Sequence, residues 1–450
     1  MILFVLLFIG ILFLGDSFTS LFKCKLSYWE RFGLAYGLGL AIFTFATFFS
    51  SLLGAPFNKY TLLFVFLVCL TMIWYAKKKR QIGLDLKIYW NRPTIPAIIL
   101  GIIILLVGFT SLFESVVRPI YTWDALAIWG TKGKAIFSVG SVQAVKDYGA
   151  KPYYPLNIPV AMALFYYFGE PFVKSIFSFY FLAILMVFYG SLKRYGCGYV
   201  GSAGTLMLAV TPFVFFHSTI AYANLPMAFY YMASVIYLYQ FFQDNSRAFL
   251  MLSSVLVGIG CWTRAEGLIW LLPNLTILTI YALRRKQWLD PILYLGPVLV
   301  FFLPWSVFTK YVIEAKSPYV GSVLEAARQL FTLNIKTAHL WDIVCYFYRQ
   351  IFIKENWLVV RGVLGWGYIW PFFFSILILY CTRIRKYFYL LALIGLDILV
   401  LFFIYYTSGL GGRLNWFLET GFNRLTLHFF PLILFQTVLV ISDDMRRRGS

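Results

Sequence analysis

Apolar runs of about twenty residues recur along most of the chain, and they constrain the fold more than any other feature. About twenty apolar residues in a helix cross the hydrocarbon core of a bilayer. Only 12% of the residues are charged, about half the fraction of a soluble domain. The sequence therefore predicts an all-α integral membrane protein with about thirteen transmembrane helices. Their boundaries are roughly 1–20, 33–53, 60–76, 94–113, 172–192, 199–217, 224–242, 248–263, 267–283, 290–309, 357–380, 387–406 and 425–442.

Short clusters of Lys and Arg between the apolar runs test this count. Cytoplasmic loops of membrane proteins carry an excess of these residues. With thirteen passes all the clusters fall on one side, which places the N-terminus outside and the C-terminal tail, 443–450, in the cytoplasm. We expect the plasma (inner) membrane of a prokaryote. The clusters are Lys23/Lys25/Arg31, Lys77–Arg80, Lys193–Arg194, Arg247, Arg284–Lys286, Arg383–Lys386 and Arg446–Arg448.

A net charge of +20 could also indicate a protein that binds nucleic acid. Because the basic residues cluster at the ends of spans, topology and anionic lipid explain them better. We predict membrane lipids and no nucleic acid as partners. The first fifteen residues are apolar without a preceding basic stretch, which favours an uncleaved first span over a signal peptide.

The same count leaves four segments on the outer face, at 114–171, 218–223, 310–356 and 407–424. Within the first, residues 156–168 are apolar but too short to span, and they predict a short helix dipping into the outer leaflet. Within the third, apolar residues recur every three or four positions over 320–352. This spacing predicts an amphipathic helix, lying on the membrane face or on the rest of the protein.

The outer segment from Glu114 to Pro155 combines an acid, bases and aromatic residues. Asp124 lies between Trp123 and Trp129, beside a predicted span. A carboxylate in this position is a candidate general base. Asp is also a favoured N-cap, and a helix-forming run follows Asp124 directly. The two roles do not exclude each other.

Two lysines, Lys132 and Lys134, follow in the same segment. On a continuous helix they point about 200° apart, so both reach one anion only if Gly133 breaks the helix. Each lysine has an alternative role, in which its stem lies along the membrane and its amino group reaches lipid phosphate. The segment closes on Tyr153 and Tyr154.

Charged residues also stand in two later outer segments. Arg264 and Glu266 occupy the tight turn between two spans. Either Arg264 binds a phosphate and Glu266 orients it, or the two residues form a structural ion pair. Asn224 opens another span and is a possible helix cap. The other outer segment with charged residues lies around the start of the last span. There Arg424 and His428 are four residues apart and are expected to share a helical face. Its members are Arg413, Glu419, Arg424 and His428.

The basic residues of these segments outnumber the carboxylates that oppose them. Such a cluster at a lipid boundary suits an anionic headgroup, such as a phosphate or pyrophosphate on a long isoprenoid. Asp124 is then available to deprotonate an acceptor, which is what a single-displacement, inverting sugar transfer requires. Asp397, in the middle of a predicted span, has no evident partner and marks function or a buried pair. The six cysteines lack regular spacing and predict neither a disulfide framework nor a zinc site.

These motifs resemble the C-type (GT-C), polyprenyl-phosphate-sugar-dependent membrane glycosyltransferases, a superfamily that includes protein mannosyltransferases and lipid A aminoarabinose transferases. Asp124 matches the acid early in the first large outer loop, and Tyr154-Pro155 match the end of that loop. Arg264 matches the basic residue of an outer turn, and Arg424 matches the Arg that begins the last span. Asn224 stands where the family usually has Asp. The resemblance covers about 94–442, with outer loops 114–171, 310–356 and 407–424, and residues 1–93 form three further spans of unassigned role.

The resemblance implies an inverting glycosyltransferase that moves a sugar from a polyprenyl-phosphate donor to a glycan, lipid or protein acceptor on the outer face. Asp124 would be the base. No cofactor is predicted, and the Asn224 departure leaves a divalent metal undecided. The donor phosphate would be held by Lys132, Lys134, Arg264, Arg413 and Arg424. Substrate contacts or support would come from Trp123, Trp129, Tyr153, Tyr154, Asn224, Glu266, Glu419 and His428.

A polytopic transporter or flippase for a lipid-linked substrate is the competing class. It too would have many spans and a basic lipid site, and Asp397 fits it well. The absence of a sequence repeat and the gathering of polar residues on one face favour the enzyme. A non-catalytic membrane scaffold is the third possibility, and it leaves the acid, bases and aromatic residues of 114–155 unexplained.

Overall fold

The computed structural model describes residues 2–79, 94–315, 337–353, 359–360, 363–409 and 414–449, with the single positions 325, 328 and 332. Within these residues the chain is helical apart from short turns and one hairpin, β1 (Val359–Val360) with β2 (Val363–Leu364), in which Val360 pairs with Val363. The α-helices are α1 (Ile2–Thr19), α2 (Tyr28–Leu52), α3 (Lys59–Lys79), α4 (Ile95–Val117), α5 (Thr131–Val139), α6 (Asn157–Tyr166), α7 (Glu170–Val173), α8 (Ser175–Arg194), α9 (Gly198–Val210), α10 (Pro212–Thr219), α11 (Asn224–Asp244), α12 (Arg247–Thr263), α13 (Gly267–Arg285), α14 (Leu289–Phe308), α15 (Thr337–Phe352), α16 (Ile369–Leu379), α17 (Phe388–Gly409), α18 (Leu414–Thr426) and α19 (Phe430–Gly449).

Among the described residues, eight helical segments are long and apolar enough to cross a membrane. Two helix pairs, α9 with α10 and α18 with α19, bend by 61° and 46° and bring the number to ten if each pair is one span. The described part of the chain is that of a predominantly helical, multi-pass membrane protein, as predicted. The eight segments are Ile2–Phe22, Tyr28–Leu52, Lys59–Lys79, Ile95–Val117, Glu170–Arg194, Gly267–Arg285, Leu289–Ile313 and Ile384–Ser408.

The remaining predicted spans correspond to α11, α12 and α16. Helices α12 and α16 have 17 and 11 residues, so each is short for a bilayer crossing. Helix α11 has 21 residues but carries four tyrosines and two glutamines, which lower its hydropathy. The count of thirteen therefore stays a prediction.

Helix α11 is the centre of the bundle, and every residue from Asn224 to Phe242 is buried. It packs against α2, α8, α12, α13, α17 and α19. A helix enclosed on all sides needs no lipid-facing stripe, and two of its tyrosines hydrogen-bond to neighbouring helices. The Tyr230 hydroxyl donates to the Gly37 carbonyl at 2.8 Å, and the Tyr231 hydroxyl donates to the carboxylate of Asp397. Asp397, for which the sequence indicated no partner, is thus buried beside a tyrosine of the central helix.

Helix α2 joins the N-terminal segment to this bundle. It packs against α1, α3, α6 and α8, and Thr44 donates to Asn157 of α6 at 2.7 Å. The backbones of α1 and α2 approach so closely that a Cβ at Gly15 would lie 1.9 Å from the Ala35 carbonyl oxygen. Close approach through glycine is typical of helices packed in membranes. The described part of the N-terminal segment, residues 2–79, therefore packs against the rest of the bundle. The division of the chain into 1–93 and 94–442 stays a prediction.

The ends of the helices separate two groups of charged residues. At one end, Glu30 pairs with Arg194, Asp290 with Arg247 and Asp443 with Lys386. The basic members of these pairs, Arg194, Arg247 and Lys386, belong to three of the clusters predicted to be cytoplasmic. Helices α11, α12 and α13 run from there to the other end, where the predicted outer segments meet. The orientation of the two ends relative to a membrane stays a prediction.

Two predicted outer helices are present in altered form. The predicted short helix within 156–168 is present as α6. All residues from Asn157 to Phe165 are buried in the protein, so this helix packs against protein, and its depth in the outer leaflet stays a prediction. Helix α15 covers the last part of the predicted amphipathic segment 320–352, and most of the earlier part lies outside the described residues. One face of α15 buries Ile343 against its neighbours, while Trp341 and Tyr348 on the other face are exposed.

Candidate functional site

Two of the predicted outer segments, 114–171 and 407–424, meet the turn between α12 and α13 around a cavity of about 420 Å³. One part of its wall is polar and comes from the 114–171 segment, the turn between α12 and α13, and α18. The other part is largely apolar and comes from α13, α17 and α18. The polar or charged groups of the first part are Asp124, Lys151, Tyr154, Arg264, Glu266 and Arg424, and the second part includes Leu268, Ile269, Phe403, Ile404, Tyr405, Trp416 and Phe417.

Asp124 lies at the start of a wide helical turn, where residues Ala125–Gly130 form a π-helix before α5. Its side chain makes no capping hydrogen bond, so Asp124 is not the N-cap that the sequence allowed. It forms an ion pair with Arg424 of α18 instead. Both side chains are partly exposed, at 20% and 27%. π-Helical turns often occur at functional sites, and this one directs a carboxylate towards the cavity.

Asn224 links the two arginines of the cavity. Arg264 Nη1 donates to Asn224 Oδ1 at 2.7 Å, and Asn224 Nδ2 donates to the Arg424 carbonyl oxygen at 3.1 Å. An ionised Asp has no donor, so it could not make the second bond. Asn at position 224 therefore has a physical explanation in this chain, because its amide accepts a hydrogen bond from Arg264 and donates one to the Arg424 carbonyl.

Arg264 and Glu266 form a forked ion pair in the turn between α12 and α13. Arg264 Nε and Nη2 donate to the two carboxylate oxygens of Glu266 at 3.0 and 2.8 Å. The guanidinium also lies over the rings of Trp129 and Tyr154, with its central carbon 5.8 and 5.7 Å from their centres. Both alternatives stated for this turn are thus compatible with the structure: the pair is made, and both members line the cavity.

The charges of this pair persist at neutral pH. Burial alone would raise the pKa of Glu266, but the charge and hydrogen bonds of Arg264 outweigh burial and lower the pKa to about 2. Burial likewise opposes the charge of Arg264, and the Glu266 carboxylate shifts its pKa above the ordinary value. Arg264 therefore remains a cation that is fixed in orientation by a carboxylate.

Only one of the two predicted lysines is near the polar wall. Helix α5 continues through Gly133, so the expected break is absent and the two side chains leave on different faces. Lys132 is buried and donates to the Lys151 carbonyl at 2.6 Å. Lys134 is exposed and does not line the cavity. The prediction that both lysines point at one anion is wrong, because α5 stays regular.

Lys151 lines the cavity and was missed in the sequence. Its Nζ lies 3.4 Å from the Tyr154 hydroxyl and 5.2 Å from the centre of that ring. Burial is the main cause that lowers the pKa of Lys151, while Asp124 opposes this shift and Arg264 adds to it. The available signal was its position three residues before Tyr154, at the end of the segment already identified.

Some of the aromatic residues support the Arg264 side chain, and others line the cavity. Trp129 and Tyr154 stack at 5.6 Å beneath Arg264, and Tyr153 packs edge-on against Tyr154 at 5.1 Å. Trp129 is buried, so it supports the arginine and offers no free ring face. Trp123 is exposed and does not line the cavity. Trp416, which the sequence did not single out, lines the apolar wall.

The remaining predicted residues lie away from the cavity or outside the described chain. Helix α18 ends at Thr426, so His428 does not share a helical face with Arg424 as expected. His428 is buried, and its Nδ1 accepts a hydrogen bond from Trp270 Nε1 at 2.8 Å. Glu419 is exposed on α18 and is not part of the lining. Arg413 lies outside the described residues.

A metal-binding cluster is not found in the part of the chain that the structure describes, where no three or more His, Cys, Asp or Glu residues are grouped to hold an ion. Both carboxylates of the cavity, Asp124 and Glu266, are paired with arginines. With Lys151, Arg264 and Arg424 the polar wall holds three cationic side chains against these two carboxylates. This excess of positive charge beside an apolar wall fits an amphiphile with an anionic head.

No protein-family model matches the sequence, and no curated protein sequence matches it. Among solved structures, the chain is similar to the crystal structure of ArnT from Cupriavidus metallidurans bound to undecaprenyl phosphate. The TM-score is 0.38 and the sequence identity 14%, over 78% of this chain and 77% of that chain. Because the TM-score is low, the chemistry of the site has to follow from its own residues.

Proposed function

We propose that this chain is an inverting glycosyltransferase that moves a sugar from a polyprenyl-phosphate donor to a hydroxyl acceptor, on the predicted outer face of a prokaryotic inner membrane. One observation supports this proposal above the others. A single cavity is lined on one side by three cations and by a carboxylate that does not cap a helix, and on the other side by an apolar wall. An anionic headgroup and a long hydrocarbon chain together match both parts of that wall.

The three cations would hold the phosphate of the donor. Arg264 is oriented by Glu266 and Asn224, and an arginine fixed in this way suits phosphate oxygens. Lys151 and Arg424 line the same wall. A sugar phosphodiester carries one negative charge, and the leaving polyprenyl phosphate gains a second as the bond breaks. Cations fixed around the phosphate therefore stabilise the transition state more than the ground state.

The isoprenoid would lie along the apolar wall. Phe403, Ile404, Trp416 and Phe417 supply most of the large side chains there. Burial of each methylene group contributes about 0.8 kcal/mol. Binding energy from the chain would thus anchor the donor while the phosphate is placed among Lys151, Arg264 and Arg424.

Asp124 would act as the general base. It removes the proton of the acceptor hydroxyl as the acceptor oxygen attacks the anomeric carbon, and the bond from that carbon to the phosphate oxygen breaks. The proton ends on Asp124 and the electron pair on the leaving phosphate. Because attack and departure occur on opposite sides of the carbon in one step, the anomeric configuration inverts.

The ion pair between Asp124 and Arg424 suggests an order of events. A phosphate in the cavity would compete with Asp124 for the Arg424 guanidinium. As Arg424 turns to the phosphate, an oxygen of Asp124 becomes available to the acceptor. The donor would then have to bind before the base can act, which disfavours deprotonation of the acceptor, or of water, without a donor in place.

The test uses the full-length protein reconstituted in lipid nanodiscs with radiolabelled polyprenyl-phosphate sugars and a membrane extract that supplies glycan, lipid and protein acceptors. We expect label in an acceptor, with the anomeric configuration of the product opposite to that of the donor by NMR. Retention of configuration would exclude the single-displacement step. The acceptor class would be identified by separating the labelled products into lipid, glycan and protein fractions.

The competing hypothesis is transport of a lipid-linked substrate. Asp397 was the residue that fitted it, and it is buried against Tyr231 in the core of the bundle, so no described contact favours transport. In vesicles, movement of a labelled polyprenyl phosphate across the bilayer with no sugar transfer would reject the enzyme in favour of the transporter.

A further inference from the structure

Lys132 is a buried cation whose hydrogen-bond acceptor is a main-chain carbonyl and not a carboxylate. Its side chain is fully buried, and its Nζ donates to the Lys151 oxygen at 2.6 Å. Lysine is almost never buried to this extent without a partner. It does not line the cavity, whereas Lys151 does. A phosphate in the cavity would therefore meet Lys151 and not Lys132.

The acceptor of this bond belongs to a tight turn that leads into Tyr154. Lys151 has a φ of +54°, in the left-handed region that non-glycine residues seldom occupy. Its carbonyl oxygen also accepts the Tyr154 N–H at 3.0 Å, and the Ala150 N–H donates to the Ala127 carbonyl at 2.8 Å. The turn is thus attached to the preceding helical segment at two points, through Ala127 and through the Lys132 amino group.

Gly149 shows that the side chain of Lys132 and the turn fit closely together. It has a φ of +93°, and a Cβ added there would lie 2.8 Å from Lys132 Cγ. A larger residue at this position would push against the stem of Lys132 in addition to straining the backbone. The aliphatic part of Lys132 and its amino group therefore both contact the turn.

From these contacts we propose that Lys132 is a positioning residue: it holds the 149–154 turn so that the side chain of Lys151 faces the cavity. Lys151 is then the lysine that binds the donor phosphate, and Lys132 acts only through it. The assignment of phosphate as the ligand of Lys151 rests on the proposed function; the effect of Lys132 on the turn does not.

The protonation of Lys132 is compatible with this role. Burial, followed by the nearby charge of Lys151, lowers the pKa of Lys132 to about 7. Either form of the amine has an N–H to donate, so the bond to the Lys151 carbonyl survives deprotonation. The Tyr154 ring also faces the amine, with its centre 5.9 Å from Nζ.

The experiment compares Lys132→Met, Lys151→Met, the double variant, and Lys134→Met as the matched control on an exposed face of the same helix. Hydrogen exchange followed by mass spectrometry reports on the Ala150 and Tyr154 amides. Native mass spectrometry reports on binding of undecaprenyl phosphate. We expect Lys132→Met to speed exchange of the turn about tenfold or more and to weaken binding about as much as Lys151→Met does. Lys134→Met should do neither.

The double variant separates positioning from direct binding. If Lys132 acts only through Lys151, the double variant binds undecaprenyl phosphate no more weakly than Lys151→Met alone. Additive losses, or weakened binding with unchanged exchange in the turn, would overturn the proposal and make Lys132 a direct ligand or a general support. If Lys132→Met does not fold, Lys132→Gln gives the same test, because its shorter side chain keeps a polar group but does not reach as far as the Lys151 carbonyl.

Failure of the proposed function has a different signature. Wild-type protein that binds no undecaprenyl phosphate would reject the donor class, while the exchange measurement would still report whether Lys132 holds the turn. Wild-type protein that binds the lipid, with exchange in the turn unaffected by Lys132→Met, would reject the positioning role alone.

Discussion

Each end of the helical bundle has an acid paired with an arginine from a distant part of the chain, and the two pairs differ in how fully the acid is occupied. At one end Glu30 is completely buried. Its carboxylate accepts hydrogen bonds from Arg194 at 2.6 Å, from Ser191 at 3.1 Å and from the Ser27 N–H at 2.8 Å. At the other end Asp124 pairs with Arg424, remains 20% exposed and faces a cavity.

This difference separates a structural pair from a functional one. Glu30 belongs to a capping box at the start of α2, and it joins α2 to the end of α8. A buried carboxylate with every oxygen bonded has nothing to offer a ligand. Asp124 and Arg424 can exchange partners without leaving a charge buried and unpaired, since the cavity admits a substrate. Residue type does not distinguish the pairs; only the space around them does.

The largest effect is expected from Asp124→Asn. The amide can still accept a hydrogen bond from Arg424, so the fold should be retained, but it cannot take a proton. Loss of a general base typically costs 10²- to 10⁴-fold in rate, and we expect a fall of that order in sugar transfer with unchanged thermal unfolding. Transfer at the wild-type rate would remove Asp124 from its role and end the contrast between the two pairs.

Glu30→Gln should have the opposite profile. Removing one charge from a buried pair leaves Arg194 without its counter-charge, which costs on the order of 3 kcal/mol of unfolding free energy. Transfer per folded molecule should not change. Thermal unfolding in detergent, with activity normalised to the folded fraction, makes the comparison. A loss of activity without a loss of stability would mean that the Glu30 end also takes part in function.

A third difference between the ends is expected in the pH dependence of stability. The pKa of Lys132 is about 7 in the folded protein, and near 10.4 in an unfolded chain. Between these values the unfolded state binds more protons, so stability should rise with pH, with a slope of at most about 1.4 kcal/mol per pH unit. Lys132→Met should abolish this rise between pH 7 and 10, and Glu30→Gln should leave it in place. An unchanged slope in Lys132→Met would assign the effect to another group.

The smallest expected effect concerns Asn224→Asp, which introduces the residue that is usual in the family resembled by the sequence motifs. The carboxylate would gain charge beside Arg264 but lose the hydrogen bond to the Arg424 carbonyl, and an oxygen would face an oxygen. We expect the KM for the donor to rise about tenfold, or ~1.4 kcal/mol, with little change in kcat. Steady-state kinetics would measure this, and Asn224→Ser, which keeps a donor, should lie between the two. A lower KM in Asn224→Asp would show that the amide bridge is dispensable.

Much of the site was predictable because the membrane restricts where charge can lie. Asp124, Arg264, Arg424 and Tyr154 were found as polar or aromatic residues at the ends of apolar spans, and the alternation of basic clusters placed them at one end of the bundle. Lys151 and Trp416 were missed. A lysine in a loop or a tryptophan near a span is common in membrane proteins, and only contact with the cavity indicates that these two residues belong to the site.

The errors have physical causes of the same kind. Lys134 was grouped with Lys132 on the expectation that Gly133 ends the helix, whereas close packing of α5 on α6 keeps it regular: a Cβ at Gly133 would lie 2.8 Å from Met162 Cβ. His428 was grouped with Arg424 by spacing, but the helix ends at Thr426. Residues 156–168 were expected to face lipid because they are apolar, whereas residues 157–165 are buried in the protein.

The sequence by itself determined that this protein is a multi-pass helical bundle, because apolar runs of membrane length and basic clusters between them permit little else. The sequence also determined that the polar residues outside the basic clusters gather at the opposite end of the bundle from those clusters. Only the tertiary structure decided which of them meet, since the partners are far apart in the chain: Asp124 and Arg424 are 300 residues apart, and Asn224 and Arg264 are 40 apart. It decided as well that Lys151 faces the cavity while Lys132 holds its turn, because burial and direction depend on packing and not on residue type.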